Sequence, residues 1–168
     1  FFTFTSSEGI ELEGWMIKPT DFDPNKKYPV IMHQYGGPGS QQVVNSWAIG
    51  SMGQGGMYDY YLAENGFIIV SVDGRGTGFR GTDFEKCIYQ RMGDLESKDQ
   101  VETALWLGKQ SYVDKNRIGI WGWSFGGFNT LMSMSDTRKV FSCGVSIAPP
   151  TAWRFYDTVY TERYMRTP

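Results

Sequence analysis

The sequence predicts an α/β fold, a mostly parallel sheet covered by helices on both faces. Three observations carry this. Short apolar runs alternate with segments whose apolar residues recur at helical spacing. Glycine-rich loops follow three of those runs, at Tyr35, Asp73 and Ser124, which sets them along the carboxyl edge of the sheet, where such sheets build their sites. The third loop, Gly122-Trp123-Ser124-Phe125-Gly126, is a Gly-x-Ser-x-Gly between a strand and a helix.

Residues 1–19 alternate apolar and polar around Glu8-Gly9, which fits two antiparallel strands and a tight turn. Asp21 to Lys27 is a charged, proline-containing loop, and Tyr28 to Gln34 (YPVIMHQ) is a strand buried on both faces. The polar, glycine-rich stretch from Ser40 to Gly56 predicts a long surface loop. A helix over Met57 to Glu64 stops at Asn65-Gly66, and Gly66 to Val72 (GFIIVSV) is another buried strand.

Gly74, Gly76 and Gly78 lack both the spacing and the following helix of a dinucleotide fingerprint, and no Walker lysine is present, so the loop reads as structural, with the Arg75 guanidinium tying neighbouring segments. Gly93-Asp94 opens a helix with Leu95, Val101, Ala104, Leu105 and Leu107 on its buried side. Asp94, Glu96, Asp99 and Glu102 are expected on a solvated face. Ser111 to Asn116 is a polar connector into the strand ending at Trp123. Phe125, Phe128, Leu131 and Met132 mark the next helix, which ends near Ser135-Asp136. Val140 to Ala148 is a last apolar strand, closed by Pro149-Pro150.

A Gly-x-Ser-x-Gly at such a junction is a nucleophile elbow. Its turn is so sharp that the serine is held in strained backbone geometry, and side chains at the flanking positions would clash with strand or helix. The hydroxyl of Ser124 is lifted out of the sheet at the positive end of a helix, which favours a developing anion. The loop Tyr35-Gly36-Gly37-Pro38-Gly39 lets backbone approach a ligand closely, and the Tyr35 phenol is a donor suited to an oxyanion.

With 168 residues, of which 40% are hydrophobic and 16% aromatic, the chain can bury a sizeable core. A net charge of −2 without a basic run gives no footprint for nucleic acid or an anionic membrane. No apolar stretch approaches a membrane span, and the N-terminal FFTFTSSEG has neither the basic start nor the apolar run of a signal peptide, which leaves the compartment open. Cys87 and Cys143 read as buried thiols, and no cluster offers metal-ligand spacing, so neither a metal nor a cofactor is expected.

The motifs HQYGGPG, DGRGTG, GDLESKDQ, IWGWSFGG and WRFYDTVYTERYM, in this order, resemble the catalytic domain of the prolyl oligopeptidase family of serine peptidases, and within it the dipeptidyl peptidase IV branch. The resemblance implies an α/β-hydrolase fold truncated after about the sixth strand: residues 1–168 are a partial peptidase catalytic domain, without its C-terminal part and without a propeller domain. It makes Ser124 the nucleophile, with the Tyr35 hydroxyl and the Phe125 backbone N–H forming the oxyanion hole. Trp153, Tyr156, Tyr160, Phe125 and Pro150 then wall the substrate pocket. The position after the nucleophile, tyrosine in familiar members, is Phe125 here, and Pro150 stands where valine is frequent; both keep the slot apolar.

The partners implied are a peptide with proline or alanine at its second position and the rest of the same polypeptide: later strands bringing the triad aspartate and histidine, and an N-terminal propeller. A homodimer of the full-length protein and a periplasmic or extracellular setting also accord with the resemblance. His33, the only histidine, precedes the serine inside a buried strand and is read as structural. The 168 residues by themselves are therefore expected to be inactive and to fold poorly, since an apolar strand is left with an open edge. The rival readings are another serine hydrolase of this fold (acylaminoacyl peptidase, oligopeptidase or esterase) and a non-catalytic binding relative. The resemblance also allows Cys143 a disulfide to a later helix.

Overall fold

Phe2–Thr5 (β1) and Glu11–Ile17 (β2) form the expected antiparallel pair, with Phe2 opposite Gly14 and Thr5 opposite Glu11. The computed structural model describes residues 1–47, 50–51 and 56–166. The expected Ser40–Gly56 loop falls partly outside them, at residues 48–49 and 52–55.

The remaining elements follow in chain order: Tyr28–His33 (β3), Met57–Glu64 (α1), Ile68–Asp73 (β4), Thr82–Lys86 (α2), Asp94–Leu107 (α3), Val113–Trp123 (β5), Phe125–Met134 (α4), Cys143–Ile147 (β6), a 3₁₀ turn at Trp153–Phe155, and Thr158–Met165 (α5). The strands form one sheet in the order β1-β2-β4-β3-β5-β6. Strands β3 to β6 are mutually parallel, and β2 joins them antiparallel through β4.

Register explains the layers. Val30 lies beside Ile68 and Ile118, and Met32 beside Val70 and Ile120, so these side chains share one face, where they pack with Val101, Ala104 and Leu107 of α3. α4 lies on the same face, since a methyl on Gly144, the neighbour of Ile120, would meet Met134. His33 and Trp121 face the other way, and there Tyr58 of α1 packs edge-on against Trp121 at 6.2 Å. Helices thus cover both faces, as expected.

Several local expectations are corrected. β5 begins at Val113, inside the expected connector. α2 and α5 were not foreseen: α2 is five residues with no buried side chain, and α5 buries only Thr161. The thiols are not buried, Cys87 being half-exposed and Cys143 exposed on the outer strand β6. Leu105 is exposed as well.

The carboxylates of α3 depart furthest from expectation. Only Asp94 is solvated; Glu96, Asp99 and Glu102 are buried. Asp99 and Glu102 have found partners distant in sequence, and Glu96 a local one. Asp99 takes a fork from the Arg75 guanidinium at 2.7–3.1 Å and also accepts the Arg75 backbone N–H. Glu102 accepts from Arg138 at 2.7 Å and from the Ser7 N–H at 3.0 Å. Glu96 accepts the Gly93 N–H at 2.9 Å, closing the start of its own helix. Arg75 does tie segments together, as its loop implied, linking the β4 loop to α3 and, through Glu8, to the β1–β2 turn.

The Arg75–Asp99 pair therefore generates a prediction. Arg75→Met leaves Asp99 buried without its counter-charge, and loss of one partner from such a pair costs about 3–5 kcal/mol. The fall should appear in the urea midpoint of the full-length protein. A midpoint moved by less than the equivalent of about 1 kcal/mol would mean that Asp99 is adequately satisfied by backbone donors alone.

Candidate active site

Strand β5 runs apolar to Trp123, and the chain reverses at Ser124 into α4. Ser124 has φ 56° and ψ −117°, a conformation that non-glycine residues adopt at a cost of roughly 1–3 kcal/mol. The corner is pinned from three sides. The Ser124 N–H donates to the Ile147 carbonyl of β6 at 2.9 Å, the Phe128 N–H donates back to the Ser124 carbonyl at 3.0 Å, and the Ser146 hydroxyl donates to the Gly127 carbonyl at 2.9 Å.

The glycines flanking the corner answer to packing. A methyl on Gly122 would lie 2.5 Å from the Gln34 carbonyl oxygen, and one on Gly126 only 2.3 Å from the same atom. No side chain fits at either position while the end of β3 lies this close.

That approach delivers Tyr35. The residue leaves β3 beside the elbow and lines one cleft together with Ser124, Phe125, Pro150, Trp153, Tyr156 and Tyr160. Every residue expected at the site is on this wall. The cleft is narrow, about 220 Å³ including its open mouth. Ser124 is partly exposed rather than sealed in the interior. Phe125 is the first residue of α4, where helical geometry gives the backbone N–H no intrahelical acceptor.

The aromatic wall has a definite arrangement. Trp153 and Tyr160 stack with centroids 5.9 Å apart and 16° between planes, and Tyr156 stands edge-on to both. Phe125 and Phe128 back Trp153 at 5.8 and 5.0 Å. Burial, followed by the neighbouring Tyr164, Tyr35, Tyr156 and Glu96, pushes the Tyr160 phenol up, so it stays neutral. α5, which carries the tyrosines, is capped by Asp157 accepting the Tyr160 N–H at 2.8 Å. It is fastened to the loop after α2 by the Gln90 N–H donating to the Tyr164 carbonyl at 2.9 Å.

His33 does not line the cleft. It is 2% exposed, its ring lies 4.7 Å from Trp121, and burial lowers its pKa to about 4. Cleft and histidine are separate features, as the strand position implied.

Gln34, its partner Asn129 and Glu96 escaped sequence reasoning. Gln34 is fully buried, and its side-chain amide donates to the Gly126 carbonyl and, at 3.0 Å, to the Thr130 hydroxyl. Its carbonyl oxygen accepts from the Asn129 amide at 2.7 Å. A carboxamide ending an apolar strand was the signal, because a buried amide demands partners. Glu96 is the third. Its second carboxyl oxygen, Oε1, is buried without a hydrogen-bond partner, and burial is the main reason its pKa rises to about 7.

Three sets of known proteins resemble this chain. A family model described as the prolyl oligopeptidase family matches residues 57–168. Curated relatives include a probable dipeptidyl-aminopeptidase B of Coccidioides posadasii, 48% identical over 162 residues, and that of Botryotinia fuckeliana, 48% identical over 164. These alignments take in 95% and 96% of this chain but 17% of each relative. Among solved structures, Porphyromonas gingivalis dipeptidyl peptidase 4 superposes with a TM-score of 0.93 at 48% identity, covering 100% of this chain and 23% of that one. The chain thus spans between a sixth and a quarter of the relatives' length, and the fold is the α/β-hydrolase sheet with helices on both faces.

The buried carboxyl of Glu96 makes stability depend on pH. Its folded pKa, about 7, exceeds the unfolded 4.5, so folding favours the neutral form. The contribution is complete below the unfolded value and is lost as pH rises through 7. Glu96→Gln keeps an acceptor for the Gly93 N–H and cannot ionise. It should flatten the decline between pH 5 and 8, leaving the variant up to about 3 kcal/mol more stable than the parent at pH 8, relative to their difference at pH 4. Parallel stability curves across that range would show that Glu96 does not titrate there.

Proposed function

This chain belongs to the prolyl oligopeptidase family, and from that premise we propose that the intact protein is a serine-type dipeptidyl peptidase releasing N-terminal dipeptides after proline or alanine. The observation that carries the reading is the elbow. A serine at φ 56° and ψ −117° opens onto a cleft whose other walls are a tyrosine phenol, the first turn of a helix and an aromatic slot.

In this reading Ser124 Oγ attacks the carbonyl carbon of the residue before the cut while its proton passes to a histidine. His33 is buried, neutral and away from the cleft, so that base, with the carboxylate that orients it, comes from polypeptide outside these 168 residues. The tetrahedral oxyanion accepts hydrogen bonds from the Tyr35 hydroxyl and the Phe125 N–H, at the positive end of α4. Collapse expels the amine, which takes the proton from the histidine. Water, deprotonated by the same base, then splits the ester on Ser124 and frees the dipeptide.

Selectivity follows from the slot. Trp153, Tyr156, Tyr160, Phe125 and Pro150 offer flat apolar surfaces in a narrow space, which suits the ring of proline or the methyl of alanine and leaves no partner for a charged side chain. No step calls for a metal or a cofactor. The free amino terminus of the substrate would be held by a part of the protein outside this chain.

Three measurements on the full-length protein test the proposal. A fluorophosphonate probe should label the parent at Ser124 and leave Ser124→Ala unlabelled, and hydrolysis should favour Gly-Pro substrates over acyl-amino-acid and short-ester ones. Better turnover of the ester or the blocked amino acid would move the protein to another hydrolase activity. Tyr35→Phe should lower kcat by roughly 10²–10³-fold, the usual loss of one oxyanion donor; a parental rate would take the phenol out of the chemistry.

A further inference from the structure

We propose that Gln34 is a positioning residue that sets the Tyr35 phenol against the elbow, acting on catalysis only through Tyr35. The inference rests on the reading of Tyr35 and Ser124 given above and adds the device that brings the two together.

Tyr35 and Ser124 follow the ends of different strands, β3 and β5, and a backbone link between those ends is the Gln34 N–H donating to the Trp121 carbonyl at 3.1 Å. Beyond that point the chain at Tyr35, Gly36 and Gly37 turns away, with positive φ at both glycines. What holds it there is the Gln34 side chain. Its amide nitrogen bonds the Gly126 carbonyl and the Thr130 hydroxyl, and its oxygen accepts from Asn129. All the partners lie on α4, the helix whose first residue supplies the other oxyanion donor. One buried carboxamide therefore fixes the residue before Tyr35 to the helix beginning at Phe125.

The loop is fitted to this clamp. A methyl on Gly36 would lie 3.3 Å from the Asn129 amide nitrogen, and one on Gly37 would strike the Phe125 ring at 2.7 Å. Backbone of the Tyr35 loop therefore rests directly on Asn129 and Phe125. Thr130 also donates to the Gly126 carbonyl at 2.8 Å, so that carbonyl takes two donors and its peptide is held against rotation. Gln34, Asn129 and Thr130 are each no more than 1% exposed, so water does not readily substitute for a lost bond.

Preorganised donors act only while they stay within tenths of an ångström of their productive positions, and a displacement near 1 Å costs about 10²-fold. A methionine at position 34 keeps length and volume and removes both donors and the acceptor. Without the clamp the phenol should drift relative to the Phe125 N–H, while Trp153, Tyr156 and Tyr160, which come from other segments, keep most of the slot's affinity.

The test is a double-mutant cycle in the full-length protein, with a Gly-Pro chromogenic peptide as substrate. Gln34→Met should lower kcat by about 10–100-fold and leave KM within about twofold. In Tyr35→Phe the phenol is already absent, so Gln34→Met/Tyr35→Phe should be no slower than Tyr35→Phe alone. A merely structural role would instead give losses that multiply. Should Gln34→Met aggregate, Asn129→Leu, which removes one bond and keeps the carboxamide, runs the same cycle with a smaller first step.

Multiplying losses overturn the inference and leave the oxyanion reading intact, as does a parental kcat in Gln34→Met. A parental kcat in Tyr35→Phe overturns the oxyanion reading itself, and the inference with it.

Discussion

The carbonyl oxygen of Gln34 occupies space that a methyl at position 122 or 126 would need, and the rest of the site depends on that contact. It places the end of β3 against the corner between β5 and α4 with only backbone between them. Tyr35, the next residue along, then lines the cleft beside Ser124. The strained torsions at Ser124 follow from the same crowding. A chain that must leave β5, clear the Gln34 carbonyl and start a helix at once has little room in ordinary φ,ψ space, and hydrogen bonds from β6 and from the first turn of α4 hold it in the disfavoured region. Glycines on either side, a serine at positive φ and a tyrosine after a buried strand are thus consequences of one short distance.

Much of this was legible in the sequence because it is written in period and punctuation. The runs at Tyr28, Ile68 and Ile118 are apolar enough to be buried strands in any context, and Gly-x-Ser-x-Gly between a strand and a helix has few structural meanings. What stayed hidden depends on partners distant in sequence. Glu96, Asp99 and Glu102 look like a solvated face when α3 is read alone, because nothing local shows that Arg75, Arg138 and Ser7 converge on it. α2 is too short to show a period, and α5 has an aromatic composition that helical spacing alone could not separate from core packing. The aromatic slot acquired a meaning through family resemblance; the geometry of its rings comes from the fold. Gln34 was read past as the last residue of an apolar strand, although its chemistry was the odd one out.

The buried charges show a division of labour along α3. Asp99 and Glu102 are paired with arginines and serve as ties, one to the loop after β4 and one to the segments around Ser7 and Arg138. Among the described residues Glu96 has no cation beside it. Near the slot, a fixed positive charge would favour anionic ligands and oppose an apolar one, whereas a carboxyl that burial keeps neutral over much of the pH range disturbs that environment least. The ionised pairs lie where segments must be fastened, and the unpaired acid, held by its own helix N-terminus, lies toward the aromatic residues.

The two sides of the cleft are held by different kinds of force. On the Ser124 and Tyr35 side, the donors belong to strand ends and a helix start, joined by backbone hydrogen bonds and by a carboxamide with no freedom to move. On the other side, Trp153, Tyr156 and Tyr160 come from a 3₁₀ turn, a short helix and the link between them, fixed by the Asp157 cap, a backbone bond to Gln90, side-chain bonds from Thr161 to Trp153 and from Arg166 to Tyr89, and ring contacts on Phe125 and Phe128. Ring contacts are broad and tolerate small displacements, while oxyanion donors do not. Substitution within the slot away from the elbow, such as at Pro150, can therefore reshape what fits there without moving the elbow. Exchange of a group that spaces β3 from α4 has no such latitude under the proposed mechanism, in which Tyr35 and the Phe125 N–H converge on one atom from two different elements.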